Sequence, residues 1–517
     1  MSDRRQFLKA GAALAAVPAL ARADVPPHLW QGHDFGPGPS VPDRLDQGPF
    51  GIEQDEGWFT IATTTASGTR VRNPGLGLVG YAWEENGPAL AARAGRETLE
   101  EAVEKLASLP FVDVLYIRCD WRDVQSRPGR LDLHPVWASS RDAARRHGLR
   151  VAFRVQLSNP EIQPAKLALP DFLQPQVPLV TIRSRTGRGP ERVEPRYDHP
   201  EFQRAFRELV GLLAAETDGD PLLEFADLMM YGFWGEGHTS DYPSPIPDSA
   251  LAERTFLDMA ERQMEAWRRV PLVVNTQPDI SRTGNRAVLE RAVRGGCWLR
   301  SDSVILDEPE QIEELAHRPP WLAVVMEDGY HRHYRTDDGR YRVDPAGVDV
   351  IEHTMLHVLD VGASYWSLWT EAGNLARYRE RRPAAFEALD RRIGYRVRPS
   401  WIWQRKRAGA DELVVAFAND GAASVPGVLR VVAEARDGRT LAGGGLDAGQ
   451  PFAGSLRLAS FRLPQGLAGS EVRLRGEIEV KGVRRPLRWA CAQPLDGAGG
   501  LVVRLKPHDD PDWRKGV

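Results

Sequence analysis

From residue 72 onward the chain alternates between two hydrophobic rhythms. Short runs rich in Val, Ile and Leu recur at 76–81, 112–118, 150–155, 225–231, 271–275, 297–302, 322–327 and 363–368. Between them, at 97–109, 135–147, 201–216, 250–269, 287–294, 309–317 and 348–360, apolar residues fall three and four positions apart, and a last such stretch, 376–393, follows the eighth run. Strand-length apolar runs separated by amphipathic helical segments signal βαβ units. Eight strands, each followed by a helix, is the count that closes a (β/α)8 TIM barrel over 72–394; a doubly wound sheet alternates too, but does not ask for eight.

Beyond residue 395 the helical period disappears. Alternating β-type runs at 412–418, 425–433, 455–463, 471–480, 486–492 and 500–505 are separated by Gly-rich or Asp-rich turns. These predict a C-terminal antiparallel β-sandwich over 395–517. On the other side of the barrel, 24–71 is rich in Pro, Gly and Asp without periodicity, and reads as a linker along the barrel surface.

The first residues are an address rather than a fold. Asp3-Arg4-Arg5-Gln6-Phe7-Leu8-Lys9 precedes an apolar run from Ala10 to Leu20 and an Ala21-Arg22-Ala23 cleavage pattern. A basic stretch, a short apolar stretch and an A-x-A-like site describe a signal peptide, with the mature chain beginning near Asp24. The apolar stretch is too short to remain as a membrane span, so no stable membrane insertion is expected. The paired arginines before Phe7-Leu8-Lys9 resemble the twin-arginine signal. That resemblance implies transient engagement with the twin-arginine export machinery and a periplasmic or secreted destination.

Composition narrows the chemistry. A formal charge of −4 and a pI near 6.4 give no electrostatic footprint for nucleic acid or an anionic membrane. Cys119, Cys297 and Cys491 are too few and too scattered for a disulfide framework or a thiolate cluster. No Gly-rich phosphate loop and no G-x-S-x-G elbow occurs, and no cofactor is expected. His331-Arg332-His333 offers two imidazoles without a third ligand spaced nearby, so no metal is expected either. The following stretch, 334–343, reads as a hairpin that either overhangs the site as a lid or forms one wall of the cleft.

In a TIM barrel the active site gathers at the C-terminal ends of the strands. Those ends hold Arg118, Asp120 and Trp121 after the second strand, Arg154 and Gln156 after the third, and Tyr231, Trp234, Glu236 and His238 after the fourth. Asn275 and Gln277 follow the fifth, Arg300 and Asp302 the sixth, Glu327, Asp328 and Tyr330 the seventh, and Trp366, Trp369 and Glu371 the eighth. Acids, amides and arginines suit sugar hydroxyls, and indole faces suit pyranose C–H surfaces, so the expected partner is a carbohydrate.

Two glutamates stand out by position. Glu236 follows strand four and Glu327 ends strand seven. Glycosidic cleavage needs one carboxyl group to protonate the leaving oxygen and another to attack the anomeric carbon, about 5–5.5 Å apart in retaining enzymes. The arrangement resembles the large clan of retaining TIM-barrel glycoside hydrolases. Asp120-Trp121-Arg122-Asp123-Val124 with Gly129-Arg130-Leu131-Asp132 is similar to that clan's stretch after strand two. Residues 231–240 are similar to a G-x-x-G-x-W-G-E-W-H-[ST]-S segment of exported barrel-plus-sandwich proteins of uncertain activity. The resemblance implies Glu236 as acid/base, with a raised pKa, and Glu327 as nucleophile; Asp328 is an alternative nucleophile, and Gly235 stands where the clan has Asn. The remaining rim residues are then substrate-binding. The competing expectation is a glycan-binding or assembly protein that keeps the cleft without hydrolysis, its glutamates serving as partners for Arg118, Arg154 and Arg300.

Overall fold

The chain of the computed structural model enters its fold at β1 (Trp58–Thr63), and the described residues are 57–83, 92, 95–276, 284–301, 309–327, 350–368 and 372–510. Eight parallel strands follow: β2 (Gly77–Trp83), β3 (Val114–Asp120), β4 (Arg150–Gln156), β7 (Leu223–Asp227), β8 (Leu272–Asn275), β9 (Trp298–Ser301), β10 (Val324–Glu327) and β11 (Tyr365–Leu368). They pair in chain order and β11 returns to β2, closing a barrel. Between β4 and β7 the chain adds an antiparallel hairpin, β5 (Leu179–Ile182) and β6 (Arg192–Pro195).

The helices are those the apolar spacing demands. α1 (Leu99–Ala107), α2 (Val136–His147), α3 (Pro200–Thr217), α4 (Ser249–Ala266), α5 (Gly284–Arg294), α6 (Pro309–Ala316) and α7 (Val350–Asp360) each lie between consecutive barrel strands. Thr98 and Glu101 start α1 with a reciprocal capping box. The stretch 376–393 is not one helix: α8 (Ala372–Arg381) and α9 (Pro383–Arg392) are separate. Pro383 has no amide proton for a helix interior, so the first helix stops before it and the second begins with it. Among the described residues no helix is long and apolar enough to cross a membrane.

Two apolar regions result. One fills the shell between strands and helices, with Leu106, Phe153, Phe206, Trp267 and Trp366 among its buried members. The other is the barrel interior, built from Val79, Val114, Tyr116, Ala152, Phe225, Val273, Trp298, Val325 and Tyr365. Strand alternation decides which residue joins which region.

The sandwich consists of β12 (Val397–Arg407), β13 (Ala410–Asn419), β14 (Val428–Ala435), β15 (Thr440–Gly445), β16 (Leu456–Arg462), β17 (Glu471–Val480), β18 (Val483–Leu487) and β19 (Leu501–Arg504). One sheet has the order β1-β12-β13-β16, and the other is β15-β14-β17-β18 with β19 also on β17. Part of the stretch read as linker is therefore a sandwich strand: β1 pairs antiparallel with β12, Trp58 opposite Arg405 and Thr63 opposite Trp401.

The β17–β18 hairpin closes the N-terminal end of the barrel. Val480 packs against the interior cluster, and Lys481 donates to the Trp267 and Val270 carbonyls. Glu224, fully buried, pairs with Arg150 of β4 at 2.7 Å and with Arg485 of β18, and accepts from Gly75 N at 2.6 Å. Trp489, on the chain just after β18, belongs to the sandwich core.

Candidate active site at the barrel mouth

The interior parity that places Val114 and Tyr116 of β3 inside the barrel carries on to Arg118 and Asp120. The same count takes Ala152 to Arg154 and Gln156, Phe225 to Asp227, Val273 to Asn275, Trp298 to Arg300, Val325 to Glu327 and Tyr365 to Ser367. The lower layers are apolar, and the last inward position of nearly every strand is polar. This is a polar lid on an apolar core, at the end where TIM barrels do chemistry.

Glu236 sits on the loop after β7 and is 6% exposed. Its Oε1 accepts from Arg154 Nη1 at 2.7 Å and Arg118 Nη1 at 3.3 Å. Its Oε2 lies 3.1 Å from His238 Nε2. The Ser240 amide donates to His238 Nδ1 at 3.2 Å, so the neutral ring carries its proton on Nε2 and donates it to Glu236. Three donors thus share the two oxygens, two on Oε1 and one on Oε2, and a lone-pair position remains for a proton. Two guanidiniums and an imidazole are therefore the immediate hydrogen-bonding neighbours of this carboxyl.

Glu327, across the mouth, accepts from Arg300 Nη2 at 2.7 Å, and the same nitrogen reaches Tyr81 Oη and, at 3.4 Å, Ser367 Oγ. Between the two glutamates lies Asp227, whose Oδ2 accepts from Tyr116 Oη and from Arg154 Nε at 3.2 Å and lies 3.4 Å from Arg300 Nη1. Burial works against the charges of Arg154 and Arg300, but the acidic groups around them, Asp227 among them, hold both guanidiniums above their ordinary range. Burial pushes the Tyr81 and Tyr116 phenols well up, so both stay protonated. Asp120 accepts from Asn159 Nδ2 at 3.1 Å, and the Gln156 amide, oriented to satisfy both neighbours, bridges Asp120 Oδ1 and Arg118 Nε.

The loop that carries Glu236 is held in an uncommon backbone shape. Gly232, Trp234, Gly235, Gly237 and Ser240 all have positive φ, and two of these are not glycine. A Cβ on Gly232 would meet the His238 carbonyl at 2.1 Å. Trp234, at φ 54°, turns its carbonyl to Arg154 Nη1 at 3.3 Å and sets its half-buried ring 5.7 Å from that of His238. The β5–β6 hairpin braces this loop: Ile182 packs with Phe233 and Tyr242, and Tyr242 Oη donates to the Pro190 carbonyl. Beneath, Glu194 of β6 accepts from Ser158 Oγ and from Tyr197 Oη at 2.6 Å, and Tyr197 Oη accepts from Gly232 N at 3.0 Å.

The mouth therefore unites Glu236, Glu327, Arg118, Arg154, Asp120, His238 and Trp234, with Asn275 beside Arg300 in register. Three expected sugar contacts lie elsewhere. Trp121 is buried edge-on to Phe202, its indole donating to Gln125. Tyr231 stacks on Phe256 of α4, and Trp366 points outward into the helix shell because its neighbour Ser367 takes the inward parity. Asp302, Tyr330 and Trp369 lie outside the described residues, as do Gln277, Asp328, Glu371, the pair His331 and His333 and the 334–343 hairpin. Among the described residues no cluster of three or more His, Cys, Asp or Glu is arranged to hold a metal. Asp227, Tyr81 and Glu194 were not anticipated. Asp227 was legible in principle, as the carboxylate two residues after interior Phe225.

Comparison with solved structures finds barrel glycosidases at low similarity. A GH5_18 protein from Streptomyces cattleya in complex with GlcNAc matches with TM-score 0.36 and 13% identity, over 58% of this chain and 71% of that one. An exo-β-1,4-mannosidase, Op5Man5 from Opitutaceae bacterium strain TAV5, matches with TM-score 0.36 and 16% identity, over 64% and 58%. Endo-glycoceramidase II from Rhodococcus sp. matches with TM-score 0.35 and 14% identity, over 77% and 100%. At these identities and TM-scores nothing about residues or substrates transfers from them. No curated protein matches the chain. The family model of the TAT (twin-arginine translocation) pathway signal sequence matches residues 1–21. The chain thus carries a twin-arginine signal and is exported across the membrane to a periplasmic or secreted destination.

Proposed function

We propose that this exported protein is a glycoside hydrolase that cleaves a glycosidic bond of an oligo- or polysaccharide, with Glu236 and Glu327 as its two carboxylates. The observation that carries the reading is their placement: both end up in the polar lid of the barrel, each fixed by its own buried arginine. Two fixed carboxyl groups on opposite walls of one mouth are what attack and protonation at a glycosidic bond require. In the retaining form of the mechanism Glu327 attacks the anomeric carbon. Glu236 gives a proton to the leaving oxygen, then takes one from water. Trp234 and His238 form the wall beside Glu236.

One observation favours a second reading. The donors around Glu236, two of them guanidiniums, are equally those of a carboxylate that only pairs with Arg118 and Arg154. The hydrolase uses Glu236 as a proton donor to the leaving oxygen; a glycan-binding protein uses it only as a hydrogen-bond partner. The purified mature protein, with Glu236→Gln and Glu327→Gln beside it, tested on a glycan panel and on activated aryl glycosides, separates the two. Hydrolysis predicts sugar release by the wild type and a loss of at least about 10³-fold in each variant on unactivated glycans. On aryl glycosides Glu236→Gln spares the first step. Saturable glycan binding without product, unchanged in both variants, would establish the binding protein.

A further inference from the structure

Asp227 takes no part in that chemistry, yet everything at the mouth converges on it. It is 3% exposed at the end of β7. Arg154 gives it Nε at 3.2 Å and Nη2 at 3.0 Å while sending Nη1 to Glu236 at 2.7 Å. Arg300 faces it with Nη1 at 3.4 Å while sending Nη2 to Glu327 at 2.7 Å. A row of alternating charge, Glu236–Arg154–Asp227–Arg300–Glu327, therefore runs across the mouth. Arg118 and His238 join it at the Glu236 end, Tyr81 at the Glu327 end and Tyr116 at the centre. Asp120 is set apart from Arg118 by the Gln156 amide.

Without the central charge, the two buried guanidiniums would lose the counter-charge they share. Their repulsion would turn both side chains, and each would press its full charge on its own glutamate. We propose that Asp227 is a positioning residue that joins Glu236 and Glu327 into one electrostatic unit, by fixing the direction in which Arg154 and Arg300 each present an N–H. The consequence for turnover rests on the glycosidase reading; the consequence for geometry does not.

Asp227→Asn keeps the shape and removes the charge, so its crystal structure is the first test. The Arg154–Glu236 and Arg300–Glu327 contacts are expected to change together, although they lie on opposite walls; both pairs unmoved at 2.7 Å would overturn the proposal. The second test is the pH profile of turnover. With Asp227 neutral, both limbs are expected to move to lower pH by about one unit, because each carboxyl then feels an uncompensated guanidinium. A lower plateau with both limbs in place is what a merely structural role gives, and it would count against the proposal. Tyr116→Phe, which keeps the Asp227 charge but removes a donor that draws on it, covers the case in which Asp227→Asn does not fold; it is expected to move both limbs together to higher pH and by less, and limbs that stay in place would count against the proposal. A wild type that releases no sugar would sink the glycosidase reading alone, and the Asp227→Asn structure would still decide the role of Asp227.

Discussion

Glu194 shows what a single carboxyl can do outside the mouth. It is fully buried on β6, with Ser158, Tyr197 and Gln163 donating to it and Arg192 nearby, and burial pushes its pKa up to about 7. The native state therefore holds this proton more tightly than the unfolded chain, where a glutamate titrates near 4.3. Stability from this group is present at acid pH and is lost as pH rises through about 7. The stability of wild type relative to Glu194→Gln should fall by on the order of 3 kcal/mol between pH 5 and 8 in denaturant titrations, and a difference that stays flat would refute the assignment. At this scale the sequence was half legible. Strand ends named Glu236, Glu327, Arg118, Arg154 and Asn275 correctly as mouth residues, because polar groups there have nowhere else to go. They did not give parity: Trp366 and Ser367 are neighbours that face opposite ways. Asp227 was hidden because the apolar run after it, Leu228 to Tyr231, made the strand look longer than it is, and so put Asp227 in mid-strand.

The elements that matter most are the short ones. Helices with a full apolar stripe were found within a few residues, and β17 was found to the residue. The β5–β6 hairpin was not, since its strands are four residues long and their pattern cannot be told from a loop. β12 was also passed over: Val397–Arg407 mixes Trp with four basic residues and contains Pro399, which hides the alternation of a strand paired on both sides. The Glu236 loop is a third such element, and its shape depends on glycine at position 232, where φ is 81°. Gly232→Ala forces a Cβ to within 2.1 Å of the His238 carbonyl unless the loop opens. The strain is about 1–3 kcal/mol, enough to lower turnover by about 5- to 150-fold while leaving most of the fold intact. Kinetics alongside circular dichroism checks this; wild-type turnover would show that the loop reaches its shape by other means.

At the scale of the whole molecule, the sandwich is tied to the end of the barrel opposite the carboxylates, so it supports the fold without lining the mouth. Glu224 is the pin. Burial opposes its charge, but Arg150 and Arg485 more than offset that and hold its carboxyl below the usual range. Glu224→Gln leaves two guanidiniums without their counter-charge, and thermal or denaturant unfolding should register a loss of about 3–5 kcal/mol. If the two parts of the chain instead unfolded independently in the wild type, this coupling would be disproved. Compositional contrast between barrel and sandwich was easy to read along the chain. Their mutual grip was not, because it joins residues such as Glu224 and Arg485 that lie 261 positions apart.

The β1–β12 pairing ties a strand that precedes the barrel to one that follows it. The hydroxyl of Thr64, just after β1, bonds a carbonyl 335 residues further on. At roughly 5–20 residues per second, a ribosome needs about 20–70 s to supply that partner. The first described strand after the export signal thus waits for its sheet partner until β12 has been made. A chain that stops short of β12 leaves β1 without its sheet partner, whereas one that includes β12 can close that sheet.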